Sequence, residues 1–246
     1  MPRAAGRTRA KKFGIAVESL PEFPQTGRVF AEQRLVGPGD TTAGGRVRLD
    51  AIVDWLQAVA YADVVDAGLE EVVLWVVRRV ALQVDGFPRL GERVELRTAC
   101  SALGARWAER RTSVRGTGGA RVEAVALWVA IDPETLRPAR IEAFAGVYSE
   151  SAGGRRARTG LTHPAPPPDA ASRPWPLRRA DLDVAGHVNN AAYWQAVEEE
   201  LGDVDSLYAE VEHRSACTVE PATLLSAGDR RWIVRGDGAV CASFRL

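Results

Sequence analysis

Two stretches of this chain follow one pattern, and that repetition limits the folds open to it. Asp40-Thr41-Thr42-Ala43-Gly44-Gly45-Arg46-Val47 lies over Asp181-Leu182-Asp183-Val184-Ala185-Gly186-His187-Val188 without a gap. Strand-like runs precede both, Phe30 to Leu35 in the first and Trp175 to Arg179 in the second. Helical patterns follow both, and Trp55-Leu56-Gln57-Ala58-Val59 echoes Trp194-Gln195-Ala196-Val197 with one residue of slip. Ile52, Val53, Leu56, Val59 and Ala60 recur at helical spacing, which predicts a helix from Leu49 or Asp50 to about Ala67. Asp50 is placed to cap its start and Gly68 to stop it. A second helix is expected from about Asn190 to Leu201.

β-rich stretches come after each helix: 72–84, 93–99, 106–114 and 121–131, then near 207–219 and 230–246. Tight breaks at Phe87-Pro88, Gly104 and Gly116-Thr117-Gly118-Gly119 make consecutive strands antiparallel. A helix followed by an antiparallel sheet, twice, predicts an α+β fold in which two sheets wrap their helices side by side. Between the halves, Gly153-Gly154-Arg155-Arg156 and Pro164-Ala165-Pro166-Pro167-Pro168 favour extended chain and read as a linker. The expected organisation is a basic tail and leader over 1–26, a first unit over 27–150, a linker over 151–172 and a second unit over 173–246.

With 32 basic and 32 acidic residues, no global field favours nucleic acid or an anionic membrane. No apolar run is long enough to span a bilayer, so no membrane insertion is expected. The basic stretch Met1 to Lys12 lacks the apolar region of a secretory signal and reads as a solvated tail, which makes the cytoplasm the expected location. Cys100, Cys217 and Cys241 are odd in number and lack metal-ligand spacing, so neither a disulfide scaffold nor a metal site is expected. Nucleophile-elbow, phosphate-loop, CxxC and HExxH patterns are absent.

Any chemistry must then be built from the segment Asp181 to Tyr193, which gathers two carboxylates, a histidine and two asparagines before a helix. Such a cluster can combine a proton-transfer group with backbone N–H donors for an oxyanion. Asp183 and His187 are four residues apart: His187 would position or deprotonate an attacking water while Asp183 orients it or acts as the base. The same residues can also form a turn and capping network, the natural first role of Asn189 and Asn190. The first copy has Arg46 where the second has His187 and lacks a match for Asp183, so chemistry is expected in the second.

The motif resembles that of the acyl-acyl carrier protein (acyl-ACP) thioesterases of the plant FatA/FatB type and their bacterial relatives, D-x-D-x-N-x-H-V-N-N-x-x-Y, standing here from Asp181 to Tyr193. Trp55-Leu56-Gln57, Trp75-Val76-Val77-Arg78-Arg79, Trp107-Ala108-Glu109-Arg110-Arg111 and Leu127-Trp128-Val129 extend the likeness through the first half in order. Two positions depart from it. Ala185 stands where the family has asparagine, and in Val211-Glu212-His213-Arg214-Ser215-Ala216-Cys217 the family's Glu-Cys pair has become Ala216-Cys217.

The resemblance implies a double hot-dog fold and hydrolysis of a fatty acyl thioester without cofactor or metal. Its implied partner is an acyl carrier protein bearing a phosphopantetheine-linked acyl chain, and the chain could be a monomer or a homodimer. It places Asp183, His187, Asn189 and Cys217 in the catalytic group, with Trp55, Gln57, Trp75 and Tyr193 on the substrate side. A nucleophilic Cys217 would need His187 brought to it, because His213 lies about 13 Å away along an extended strand. His163 and His213 are given no role. A hydratase is disfavoured because its motif sets aspartate and histidine five apart. A non-catalytic acyl-binding relative, motivated by Ala185 and Ala216, and an acyl-CoA thioesterase stand as alternatives.

Overall fold

The computed structural model describes residues 19–202 and 204–246; the basic stretch Met1 to Lys12 lies outside them. Its framework is one ten-stranded antiparallel sheet. The strands are β1 (Phe30–Leu35), β2 (Leu74–Val84), β3 (Arg93–Leu103), β4 (Trp107–Gly116) and β5 (Arg121–Ile131) in the first half. The second half supplies β6 (Ala171–Trp175), β7 (Leu207–His213), β8 (Ala222–Ala227), β9 (Arg230–Arg235) and β10 (Val240–Arg245). Their order, β1-β3-β4-β5-β2-β7-β10-β9-β8-β6, is the same in each half when read from the outer edge inward. The halves meet where β2 and β7 pair antiparallel, from Arg79 opposite Glu212 to Val84 opposite Leu207.

Helix α1 (Leu49–Asp66) lies against the sheet of the first half. Its stripe Ile52, Val53, Leu56 and Val59 is buried with Trp55, each large apolar side chain contributing about 1.5–3 kcal/mol of transfer free energy. Gly68, at φ +67°, follows its last turn, and the Leu69 and Gly68 N–H groups close back on Val64 and Val65. The start differs from expectation. Arg48, not Asp50, occupies the cap position and offers no side-chain cap; the Leu49 N–H instead donates to Glu198 Oε2 at 3.0 Å. The cap is tertiary, so no local pattern could reveal it.

The second helix is much shorter than expected. A 3-10 turn (Ala192–Trp194) runs into a single α-helical turn, α3 (Gln195–Glu198). Glu198, Glu199 and Glu200 place carboxylates at the end where the helix dipole is already negative, and Gly202 follows. Two further elements were not expected: β8, and helix α2 (Glu142–Ala152), which packs Phe144 and Tyr148 over Val64, Cys100 and Ala108. The stretch 230–246 is a hairpin turning through Asp237-Gly238 rather than one strand. β6 begins earlier than the expected run; as an edge strand it tolerates Pro174.

After α2 the chain crosses the sheet face opposite the core as a fastened strap. Arg155 donates to the Ser101 carbonyl (2.9 Å) and Arg158 to Glu210 (3.2 Å). The Thr162 and His163 N–H groups reach Glu212 (2.6 and 3.0 Å), and the Trp232 indole binds the Pro164 carbonyl (2.9 Å). Alternation along β7 explains this: Leu207, Ala209 and Val211 join the core, leaving Glu210 and Glu212 to the strap. Buried His163 bridges Glu210 and Ser243. The Glu210 carboxyl, although burial pushes it up, is held below its usual range by His163 and Arg158. Among the described residues no helix is long and apolar enough to cross a membrane.

Candidate active site

The duplicated segments adopt one backbone structure. In the second half, Asp181 ends a 3-10 turn and accepts the Arg178 N–H (2.8 Å). The Asp183 N–H bonds the His187 carbonyl (2.8 Å), Gly186 turns the chain at φ +75°, and the Asn189 N–H returns to the Asp181 carbonyl (2.7 Å). In the first half the Thr42 N–H bonds Arg46, Gly45 turns at φ +79°, and the Arg48 N–H returns to Asp40. Isolated bridges Thr41–Val47 and Leu182–Val188 close both loops in the same register. The positive φ is why each loop carries glycine at that position.

What fills the loops differs. In the first, the buried Arg46 guanidinium lies over Phe87 (4.7 Å) and is clasped by Glu198 across the interface (2.8 and 3.1 Å). From α1, Gln57 reaches across in the opposite sense. Its Nε2 donates to Asn189 Oδ1 (3.0 Å) and its Oε1 accepts from Asn190 Nδ2 (3.2 Å). Asn189 Oδ1 also caps the Ala191 N–H (2.8 Å). One copy of the site is therefore plugged by an ion pair; the other is held by neutral amides and stands beside a cavity.

That cavity, about 460 Å³, runs from Asp183, Asn189 and Asn190 along α1 to Phe144 and Tyr148 of α2. Gln57 and Trp75 line it; Trp55 and Tyr193 do not. Trp55 is core beneath Arg34, and Tyr193 is buried edge-on to His213 (5.5 Å), its hydroxyl pushed up by burial. Asp183 Oδ1 accepts the Ala185 (2.9 Å) and His187 (3.2 Å) N–H groups. The His187 ring is exposed outside the cavity lining and forms no side-chain hydrogen bond with Asp183. Backbone thus links this pair, while Asn189 and Asn190 are the motif residues that meet α1.

Cys217 requires a correction. It is joined to Cys241 in a disulfide, so it has no thiolate to act as nucleophile, and the expectation of unpaired cysteines fails for these two. Their proximity comes from β7 pairing with β10: the Arg214 N–H binds the Cys241 carbonyl (2.8 Å), which no sequence spacing announces. The Cys217 carbonyl accepts the Val188 N–H (2.8 Å), so its contribution to the loop is structural. Cys100 is the free cysteine among the described residues, buried in the cavity wall with its thiol pushed up to about 11.

The model of the acyl-ACP thioesterase N-terminal domain matches residues 27–144, and that of the C-terminal domain matches residues 166–214. An uncharacterized protein of Mycobacterium tuberculosis is 32% identical over 215 residues, 84% of this chain and 85% of its own length. The chain belongs to the acyl-ACP thioesterase family.

Solved structures agree on the fold. A Lactobacillus plantarum protein assigned as an oleoyl thioesterase superposes with a TM-score of 0.74 at 19% identity, covering 91% of this chain and 96% of its own. The 12:0-ACP thioesterase of Umbellularia californica gives 0.67 at 21% identity, covering 91% and 98%. The fold is the double hot-dog, and the family's reaction makes this acyl-ACP thioesterase relative a thioester hydrolase.

Both departures from the family motif lie on the surface of this thioesterase-family chain: Ala185 is in the exposed turn, and exposed Ala216 offers its carbonyl to Arg235 (3.4 Å). The motif did not reveal Asp54, Trp128, Arg110 or Tyr148, all in the cavity lining. Arg110 and Tyr148 converge with Arg28 on fully buried Asp63 (Tyr148 Oη at 3.0 Å, Arg28 Nε at 2.6 Å). A signal existed, since Asp63 interrupts the apolar stripe of α1 between Val59, Ala60 and Val64.

Proposed function

We propose that this chain hydrolyses fatty acyl thioesters carried on acyl carrier protein, releasing the fatty acid and the carrier thiol at the loop Asp183–Asn190. The observation that carries this reading is the cavity itself, polar at Asp183, Asn189 and Asn190 and aromatic at its α2 end. An acyl chain would lie along α1 with its carbonyl at the loop. The Asn190 backbone N–H, which has no acceptor among the described residues, would hold the oxyanion. Asp183 would orient the water, and His187, at the exposed rim, would pass a proton to the departing thiolate. The chain itself would supply every group in this scheme.

The test is thiol release from C8 to C18 thioesters of acyl carrier protein and of coenzyme A, comparing wild type with His187→Ala and Asp183→Asn. Turnover of the carrier-linked chains with a loss of most activity in both variants supports the reading. Preference for coenzyme A thioesters changes the partner. Tight acyl binding without turnover points to the acyl-binding alternative.

A further inference from the structure

Asp183 cannot be the whole answer to how the water loses its proton, because one of its carboxylate oxygens already closes two turns of the loop. A second carboxylate faces the same cavity. Asp54 lies on α1 one turn before Gln57, and residues three apart share a helix face with Cβ atoms about 5–6 Å apart. Gln57 is fastened to Asn189 and Asn190, so α1 holds Asp54 beside the loop. Asp54 lines the cavity, retains access to water, and accepts no hydrogen bond and forms no ion pair among the described residues.

We infer that Asp54, supplied by the first half, is the general base for hydrolysis at the loop of the second half. This rests on the thioesterase reading above. Asp54 takes one proton from water as the water oxygen bonds to the thioester carbonyl carbon. The tetrahedral oxyanion collapses, the C–S bond breaks, and the sulfur leaves with its electron pair and takes a proton from His187; Asp54 then releases the water's proton to solvent, from which His187 is reprotonated. The products are the fatty acid and the carrier thiol.

The surroundings suit the role. Partial burial pushes the Asp54 carboxyl up, Arg34 opposes that, and Asp40 and Asp50 add to it; Asp183 and Glu70 are the other carboxylates lining the cavity. A raised carboxyl is a stronger base once ionised. Acting as base, it must be deprotonated, so activity rises with pH through its titration.

The experiment compares wild type, Asp54→Asn and Asp54→Glu on one acyl-ACP substrate from pH 4.5 to 8.5, with thermal melts as a control for folding. The expected result is that Asp54→Asn lowers kcat about a hundredfold or more, within the 10²–10⁴ range of a lost general base. It should leave KM within threefold, remove the acidic limb of the kcat profile and melt like wild type, and Asp54→Glu should restore part of kcat. An active wild type with Asp54→Asn inside threefold of it, or with the acidic limb intact, overturns this inference alone. A wild type inert on all acyl thioesters overturns the thioesterase reading and this inference with it.

Discussion

Replacing Glu198 by alanine tests whether the two halves are clamped as the structure shows. The side chain accepts two hydrogen bonds from Arg46 (2.8 and 3.1 Å) and a third from the Leu49 N–H at the start of α1 (3.0 Å). Arg46 is only 6% exposed at its side chain and Glu198 12%. Truncation strands a buried guanidinium, which costs about 3–5 kcal/mol. Loss of the helix cap costs about 1 kcal/mol more, with partial overlap because one carboxylate serves both. The Gly202 carbonyl near Arg46 (3.4 Å) and the remaining solvent access relieve some of this, so about 3–4 kcal/mol is expected. For a chain of this size that lowers the Tm by about 6–15 °C. Urea unfolding followed by circular dichroism measures it. Arg46→Met/Glu198→Leu, which removes both charges and fills the space, should recover most of the loss. A Glu198→Ala protein within about 1 kcal/mol of wild type, or a double variant as weak as the single, would refute the argument.

Two more predictions follow from buried groups. His213 is held neutral, lowered to about 3 by burial and by Arg78, whereas an unfolded histidine titrates near 6.5. The unfolded state therefore binds the extra proton, and this contribution to stability is present above about pH 6.5 and lost progressively as pH falls toward 3. The slope is up to about 1.4 kcal/mol per pH unit in that window. From pH 7 through 6 to 5 the urea midpoint should fall less for His213→Phe than for wild type; parallel declines would exclude His213 as the cause. The Cys217–Cys241 bond closes a loop at a sequence separation of 24 and should contribute about 3–4 kcal/mol. The unfolded protein should titrate one thiol without reductant and three with it. Cys217→Ala/Cys241→Ala should lower stability yet keep thioester hydrolysis; loss of hydrolysis in a folded double variant would restore Cys217 to the catalytic group.

The duplicated loop, α1 with its glycine stop and the strands of the first half were legible in the chain because local forces make them. A hairpin closed by backbone bonds between Asp181 and Asn189 needs only a few residues and a glycine at φ +75°. An apolar stripe on α1 shows in any window a few turns long. Features made by distant partners were not legible. The cap of α1 is a carboxylate from the other half, the disulfide follows β-pairing, and α2 is secured by burying Phe144 and Tyr148 over the first sheet. α3 stops short where successive glutamates oppose its dipole, one of them drawn to Arg46. The motif located the loop, but not which carboxylates stand free beside it. Sequence by itself determined the repeat and the residue types at the loop. Tertiary structure decided which copy is plugged and which is open, because that depends on whether Glu198 or Gln57 crosses the seam between the halves.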